Sequence, residues 1–139
     1  MVFSLGLLSC TKPIPVAFNN ACQKENNNVY ISVEGYLSTG TSVLCSAHDS
    51  IRTCGLELMD SPNGTNKISI YLEEGTGKSQ MEPLPKSYSK ENLKVRDRDG
   101  QVLGAQDRVR VIGIAKSAND VVNSSYTVCY INVQEIERP

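Results

Sequence analysis

The hydrophobic positions of this chain fall into short alternating runs. Val29, Ile31, Val33 and Leu37 share one parity, and Tyr30, Ser32, Glu34 and Tyr36 share the other. A period of two predicts a half-buried β-strand, and Gly35 inside it marks a bulge or tight bend. A second strand is predicted over 52–59, followed by Asp60-Ser-Pro-Asn-Gly-Thr-Asn66, a dense turn signal. A third places Ile68, Ile70 and Leu72 inward and Ser69, Tyr71 and Glu73 outward. Residues 75–107 are less regular. Pro83 and Pro85 break any helix there, 87–93 suits one or two helical turns, and Asp97-Arg-Asp-Gly100 is another turn. A fourth strand begins Arg108-Val-Arg-Val-Ile-Gly-Ile114, again with an internal glycine. The last runs from about 125 to 137, with Cys129, Ile131 and Val133 on one face and Tyr126, Val128, Tyr130 and Asn132 on the other. Three strands before an irregular middle and two after it predict an all-β fold, a small five-stranded barrel whose closure removes exposed edges. A small β-sandwich is the alternative architecture.

A length of 139 residues suits one domain with a modest core, and 40% hydrophobic with 21% charged residues is ordinary globular composition. No segment is long and apolar enough for a transmembrane helix. The net charge of −1 supplies no global attraction for nucleic acid or an acidic membrane. Basic residues are nonetheless concentrated over 86–110, where Lys86, Lys90, Lys94, Arg96, Arg98, Arg108 and Arg110 meet only Glu91, Asp97, Asp99 and Asp107.

The chain opens Met1-Val-Phe-Ser-Leu-Gly-Leu-Leu-Ser-Cys10, apolar and uncharged until Lys12. Leu7-Leu8-Ser9-Cys10 resembles the lipobox of bacterial lipoproteins, in which a small residue precedes the cysteine that is diacylated and becomes the mature N-terminus. That resemblance implies a lipid anchor at Cys10 and a place in the bacterial cell envelope, facing the periplasm or exterior. Nine uncharged residues lack the positive n-region and full apolar stretch of a working signal peptide, so the true start is expected upstream. Residues 1–9 then read as a signal-peptide remnant, 10–28 as a tether and arm, and 29–139 as the β domain.

Setting Cys10 aside leaves Cys22, Cys45, Cys54 and Cys129, an even number that suits an oxidising compartment and allows three pairings. The preferred pairing is Cys45 with Cys54, closing a short segment between two strand-like runs, and Cys22 with Cys129, tying the arm to the last strand. A metal site on Cys45, His48 and Cys54 is the competing reading, although its spacing fits no common zinc motif.

Gly35 in the first strand, Asp107-Arg-Val-Arg-Val-Ile-Gly113 heading the fourth, and Ile131-Asn-Val-Gln-Glu-Ile136 in the fifth together resemble OB-fold domains. The resemblance spans about 29–137 and is closest to exported OB-fold proteins of bacterial envelopes described as nucleic-acid-binding lipoproteins. The middle departs from that pattern, since the helix between strands three and four is proline-interrupted. In such a barrel the outward tyrosines could stack bases or sugar rings. Tyr36 and Tyr71, with Arg108 and Arg110 for phosphate, are the candidate binding residues.

Other chemistry is thin. Glu74-Gly-Thr-Gly-Lys-Ser79 ends like a phosphate-binding loop, but Leu72 stands where the motif needs its first glycine. Asp97-x-Asp99-Gly100 lacks the remaining ligands of a calcium loop. His48 is the single histidine, and no G-x-S-x-G elbow marks a nucleophile. The sequence thus predicts a non-enzymatic envelope lipoprotein with no cofactor or metal. Its OB-like domain is expected to bind single-stranded nucleic acid, a glycan or another oligomer. The alternative is a structural or assembly partner in an envelope protein complex.

Overall fold

A computed structural model describes residues 12–119 and 127–139. Ten strands run in chain order: β1 (Ile14–Pro15), β2 (Tyr30–Ser38), β3 (Leu44–His48), β4 (Ile51–Met59), β5 (Lys67–Glu73), β6 (Gln80–Met81), β7 (Val95–Arg96), β8 (Val102–Leu103), β9 (Arg108–Asn119) and β10 (Thr127–Glu137). Five of them close a barrel. Around it the order is β2, β4, β5, β10, β9 and back to β2. Every pair in this ring is antiparallel except β5 with β10, which is parallel. This connectivity is that of an OB-like barrel.

The alternation seen in the sequence becomes the inside and outside of that barrel. Ile31, Val33 and Leu37 from β2 meet Leu56 and Leu58 from β4 and Ile68, Ile70 and Leu72 from β5, all buried. Val109 and Val111 from β9 and Ile131 from β10 complete the layer. Burying each large aliphatic side chain contributes roughly 1.5–3 kcal/mol before chain entropy is set against it. A bulge between Val133 and Glu135 resets the parity of β10, which brings Ile136 into the core as well.

Gly35 lets β2 pass close over β4, for a Cβ there would lie 2.6 Å from Leu58 Cγ and 2.7 Å from the Met59 carbonyl oxygen. Gly113 plays the same part where β9 crosses β10, 2.1 Å from the Asn132 carbonyl oxygen by the same measure. Both interior glycines therefore mark close backbone approach.

β2 and β4 pair only over Tyr36–Ser38, so part of the other edge of β2 is left for the N-terminal arm. β1 adds there in parallel, Ile14 opposite Ile31 and Pro15 opposite Ser32. The arm continues through 3₁₀ turns at Phe18–Asn20 and Lys24–Asn26, burying Ala21. Cys22 is joined to Cys129 across a separation of 107 residues, as the preferred pairing expected.

Between β5 and β9 the irregular stretch forms a small sheet, β6-β7-β8, with one 3₁₀ turn at Lys90–Asn92 capped by Ser89 and Asn92. Ser79 ties this stretch to the barrel: its hydroxyl donates to the Ile136 carbonyl and accepts from the Ile136 N–H.

Candidate binding face

The outer surface of β4, β5 and β10 is built on a row of four residues. Leu44 faces Gly55, Gly55 faces Tyr71, and Tyr71 faces Asn132. Because Gly55 has no side chain, the Tyr71 ring lies down over it; a Cβ at Gly55 would be 3.2 Å from Tyr71 Cε1. The Tyr130 ring meets Tyr71 edge-to-face at 5.2 Å and 80°, an arrangement the ring quadrupoles favour. Tyr71 remains 38% exposed and Leu44 75% exposed. A shallow pocket of about 150 Å³ lies beside them, walled by Thr39, Ser42, Leu44, Glu57, Ser69 and Tyr71. On this rim Glu57 and Lys67 pair with each other at 3.1 Å, while Glu73 on β5 and Lys116, opposite Tyr130, border the same face.

Arg108 and Arg110 lie on a different side. Arg110 on β9 stands opposite Glu34 on β2 and Glu137 on β10. Its guanidinium donates to Glu34 at 2.9 Å and to Glu137 at 3.1 Å. Arg108 donates to the other oxygen of Glu34, and Arg98 donates to Glu137 at 3.0 Å. Three guanidinium groups thus share two carboxylates. The Arg110 hydrogen bond, reinforced by Arg108, holds the Glu34 carboxyl below its ordinary value, and the same bonds from Glu34 and Glu137 push Arg110 up. Tyr36 sits beside Arg108 in the β2–β9 register.

The four predicted binding residues are therefore split, with Tyr36, Arg108 and Arg110 on one side of the barrel and Tyr71 on another, beside Tyr130. β4 lies between β2 and β5 on one side of the ring, and β9 with β10 on the other. Alternation identified Tyr36 and Tyr71 as outward but carried no information on which strands are neighbours. Leu44 and Gly55 were not singled out from sequence. A glycine inside a strand signals close approach by another group, and at Gly55 that group is the Tyr71 ring.

Cys45 and Cys54 face each other in the β3–β4 register and form the second disulfide. The competing metal reading on Cys45, His48 and Cys54 loses both thiolates to that bond, although Glu74 stands near the two sulfurs. His48 sits at the hairpin tip with 93% of its side chain exposed, 3.4 Å from Asp49. Glu74–Ser79 forms a turn with Gly75 and Gly77 at positive φ, and the strand β6 follows it. Asp97 is buried, and its Oδ1 accepts from the N–H groups of Asp99 and Gln101, which makes it the cap of the 97–100 turn. Cys10 and residues 1–9, expected to be an anchor and a signal-peptide remnant, lie outside the described residues.

No protein-family model matches the sequence, and no curated protein sequence is significantly similar to it. Among solved structures, the chain is similar to one described as an aspartyl-tRNA synthetase from Leishmania major Friedlin, with 11% identity and a TM-score of 0.48. The match covers 93% of this chain and 21% of that one, so this chain spans about a fifth of that protein's length. At that identity no residue role transfers between the two, and the barrel's own strand connectivity defines its fold.

Proposed function

We propose that this chain is a non-enzymatic binding module of the bacterial envelope, anchored to the membrane through a lipidated Cys10, whose Tyr71–Tyr130 face holds a ring-bearing, uncharged oligomer such as a glycan. The observation that carries this reading is the exposed Tyr71 ring, laid on Gly55 and braced edge-on by Tyr130. A ring fixed in this way loses little freedom when a sugar or base stacks on it. Ser69 and Asn132 beside it offer uncharged hydrogen-bonding groups. A polyanion would gain little, because Arg108 and Arg110 lie elsewhere and are shared with carboxylates. The two disulfides suit an oxidising, extracytoplasmic compartment, and the lipobox-like segment supplies the expected anchor.

The test is fluorescence anisotropy of labelled chito- and gluco-oligosaccharides, with an oligo-dT strand measured alongside at low and moderate salt. Saturable, salt-insensitive oligosaccharide binding that weakens about tenfold, some 1.4 kcal/mol, in Tyr71→Ala supports the reading. Oligo-dT binding that falls steeply with salt would replace the glycan by single-stranded nucleic acid. Binding unchanged by Tyr71→Ala would remove this face altogether. For the anchor, Cys10→Ala is expected to release the protein from the membrane fraction.

A further inference from the structure

Barrel closure leaves two strands of the seven-stranded sheet outside the ring, β1 at one end and β3 at the other. β3 is the last strand of the seven-stranded sheet, bonded to β4 on one side and, among the described residues, to no strand on the other. Such an edge is a template for another chain, and proteins commonly blunt it with lysine, proline or a bulge. β3 reads Leu44-Cys-Ser-Ala-His48, with none of these, and four of its five residues are exposed. It is also held rigid, since the Cys45–Cys54 bridge locks it to the barrel strand β4.

The direction of the free groups can be worked out. The Val43 N–H, just before β3, donates to the Tyr88 hydroxyl rather than to β4. Alternate residues in a strand direct their N–H groups to the same edge. Cys45 and Ala47 share the parity of Val43, so their N–H and C=O groups point away from β4, into open edge. Arg52 is consistent with this: it faces Ala47 in the register, and its carbonyl is used on the far side by the Glu74 N–H.

Each face of the edge has its own pocket. On the outer face, Leu44 stands 75% exposed at the rim of the shallow pocket already described. On the opposite face a pocket of about 220 Å³ is walled by Val43, Cys45, Arg52, Glu74, Lys86 and Tyr88 among others. Arg52 is paired with Glu74 at 3.2 Å, while Lys86 makes no ion pair among the described residues, which leaves that pocket one positive charge in excess.

We propose that β3 is a docking edge for an extended segment of a partner protein, which adds to the sheet as a further strand. Its alternate side chains are an apolar residue against the exposed Leu44, and an acidic residue directed at Arg52 and Lys86. Backbone hydrogen bonds to Cys45 and Ala47 supply the affinity, and the two pockets supply the sequence preference. This surface shares only Leu44 with the one proposed for sugars, and the variants below leave Tyr71 untouched, so the two readings fail separately.

The test uses the disulfide-intact protein and a labelled peptide of about seven residues alternating Val and Glu, with Val/Lys and proline-containing versions beside it. The expected result is saturable binding of the Val/Glu peptide with amide NMR shifts at Cys45 and Ala47. Ala47→Pro removes an outward N–H without breaking the β3–β4 ladder, and should weaken binding at least tenfold while leaving Tyr71-dependent sugar binding intact. Lys86→Glu should reverse the preference between Val/Glu and Val/Lys peptides and leave folding unchanged. Absence of saturable binding up to about 1 mM peptide overturns the proposal. So does binding insensitive to both variants, or a concentration-dependent homodimer abolished by Ala47→Pro, which would make a second copy the occupant.

Discussion

The two disulfides differ about twelvefold in the chain they enclose, which makes their relative worth a sharp test of what stabilises this barrel. Cys22–Cys129 spans 107 residues and Cys45–Cys54 spans 9. If a bridge acts by restricting the unfolded chain, the loop-closure expression gives about 4.8 kcal/mol for the 107-residue span and about 2.6 kcal/mol for the 9-residue span at 25 °C. Cys54 is fully buried, so deleting its sulfur adds about 1 kcal/mol of lost packing to the shorter bridge, which still leaves it the smaller loss. For 139 residues the entropy of unfolding is about 0.29 kcal/mol per degree. Removing the long bridge should therefore lower Tm by about 16 °C, and removing the short one by about 9 °C, or about 12 °C with the packing term. The assay is thermal and urea unfolding of Cys22→Ala/Cys129→Ala and Cys45→Ala/Cys54→Ala, followed by circular dichroism under non-reducing conditions. An equal or larger loss from the short bridge would refute the reasoning and place its contribution in native packing of the β3–β4 hairpin.

Other perturbations follow from single contacts. Gly113→Ala would place a Cβ 2.1 Å from a backbone oxygen of β10, so the strands must separate; a loss of about 3 kcal/mol or more is expected by urea titration. Gly100→Ala meets nothing within 4 Å and only a positive φ of 81°, and should lose no more than about 1–2 kcal/mol. Leu58→Ala, at a fully buried site packed on Gly35, should cost about 2–5 kcal/mol. Glu34→Gln breaks contacts to both Arg108 and Arg110 at a partly exposed site, and should lose under about 1 kcal/mol at neutral pH. Because the folded Glu34 carboxyl lies below its ordinary value of 4.5, its contribution is fully present above that value and is lost as pH falls through the folded one. The stability gap between wild type and Glu34→Gln should accordingly close on acidification, as unfolding measured across pH 3–7 would show.

The sequence carried the strands and their inward faces because burial on one side of a pleated strand imposes a period of two. Ile31, Val33, Leu37, Ile68, Ile70, Leu72 and Ile131 were legible on that ground, and all are buried. The two short motifs ending at Gly113 and Ile136 were legible through their resemblance to OB-fold domains. Ile136 shows how far this goes: its burial depends on the Val133–Glu135 bulge, which strict alternation from Ile131 would have missed. Tertiary structure alone decided the rest. Which outward residues become neighbours depends on strand order around the ring, so only the barrel could separate Tyr36 and the paired arginines from Tyr71 and Tyr130. It also put Gly55 beneath the Tyr71 ring and left the outer edge of β3 without a partner among the described residues. Such relations are set by long-range pairing between strands, and that pairing is encoded jointly by distant segments of the chain.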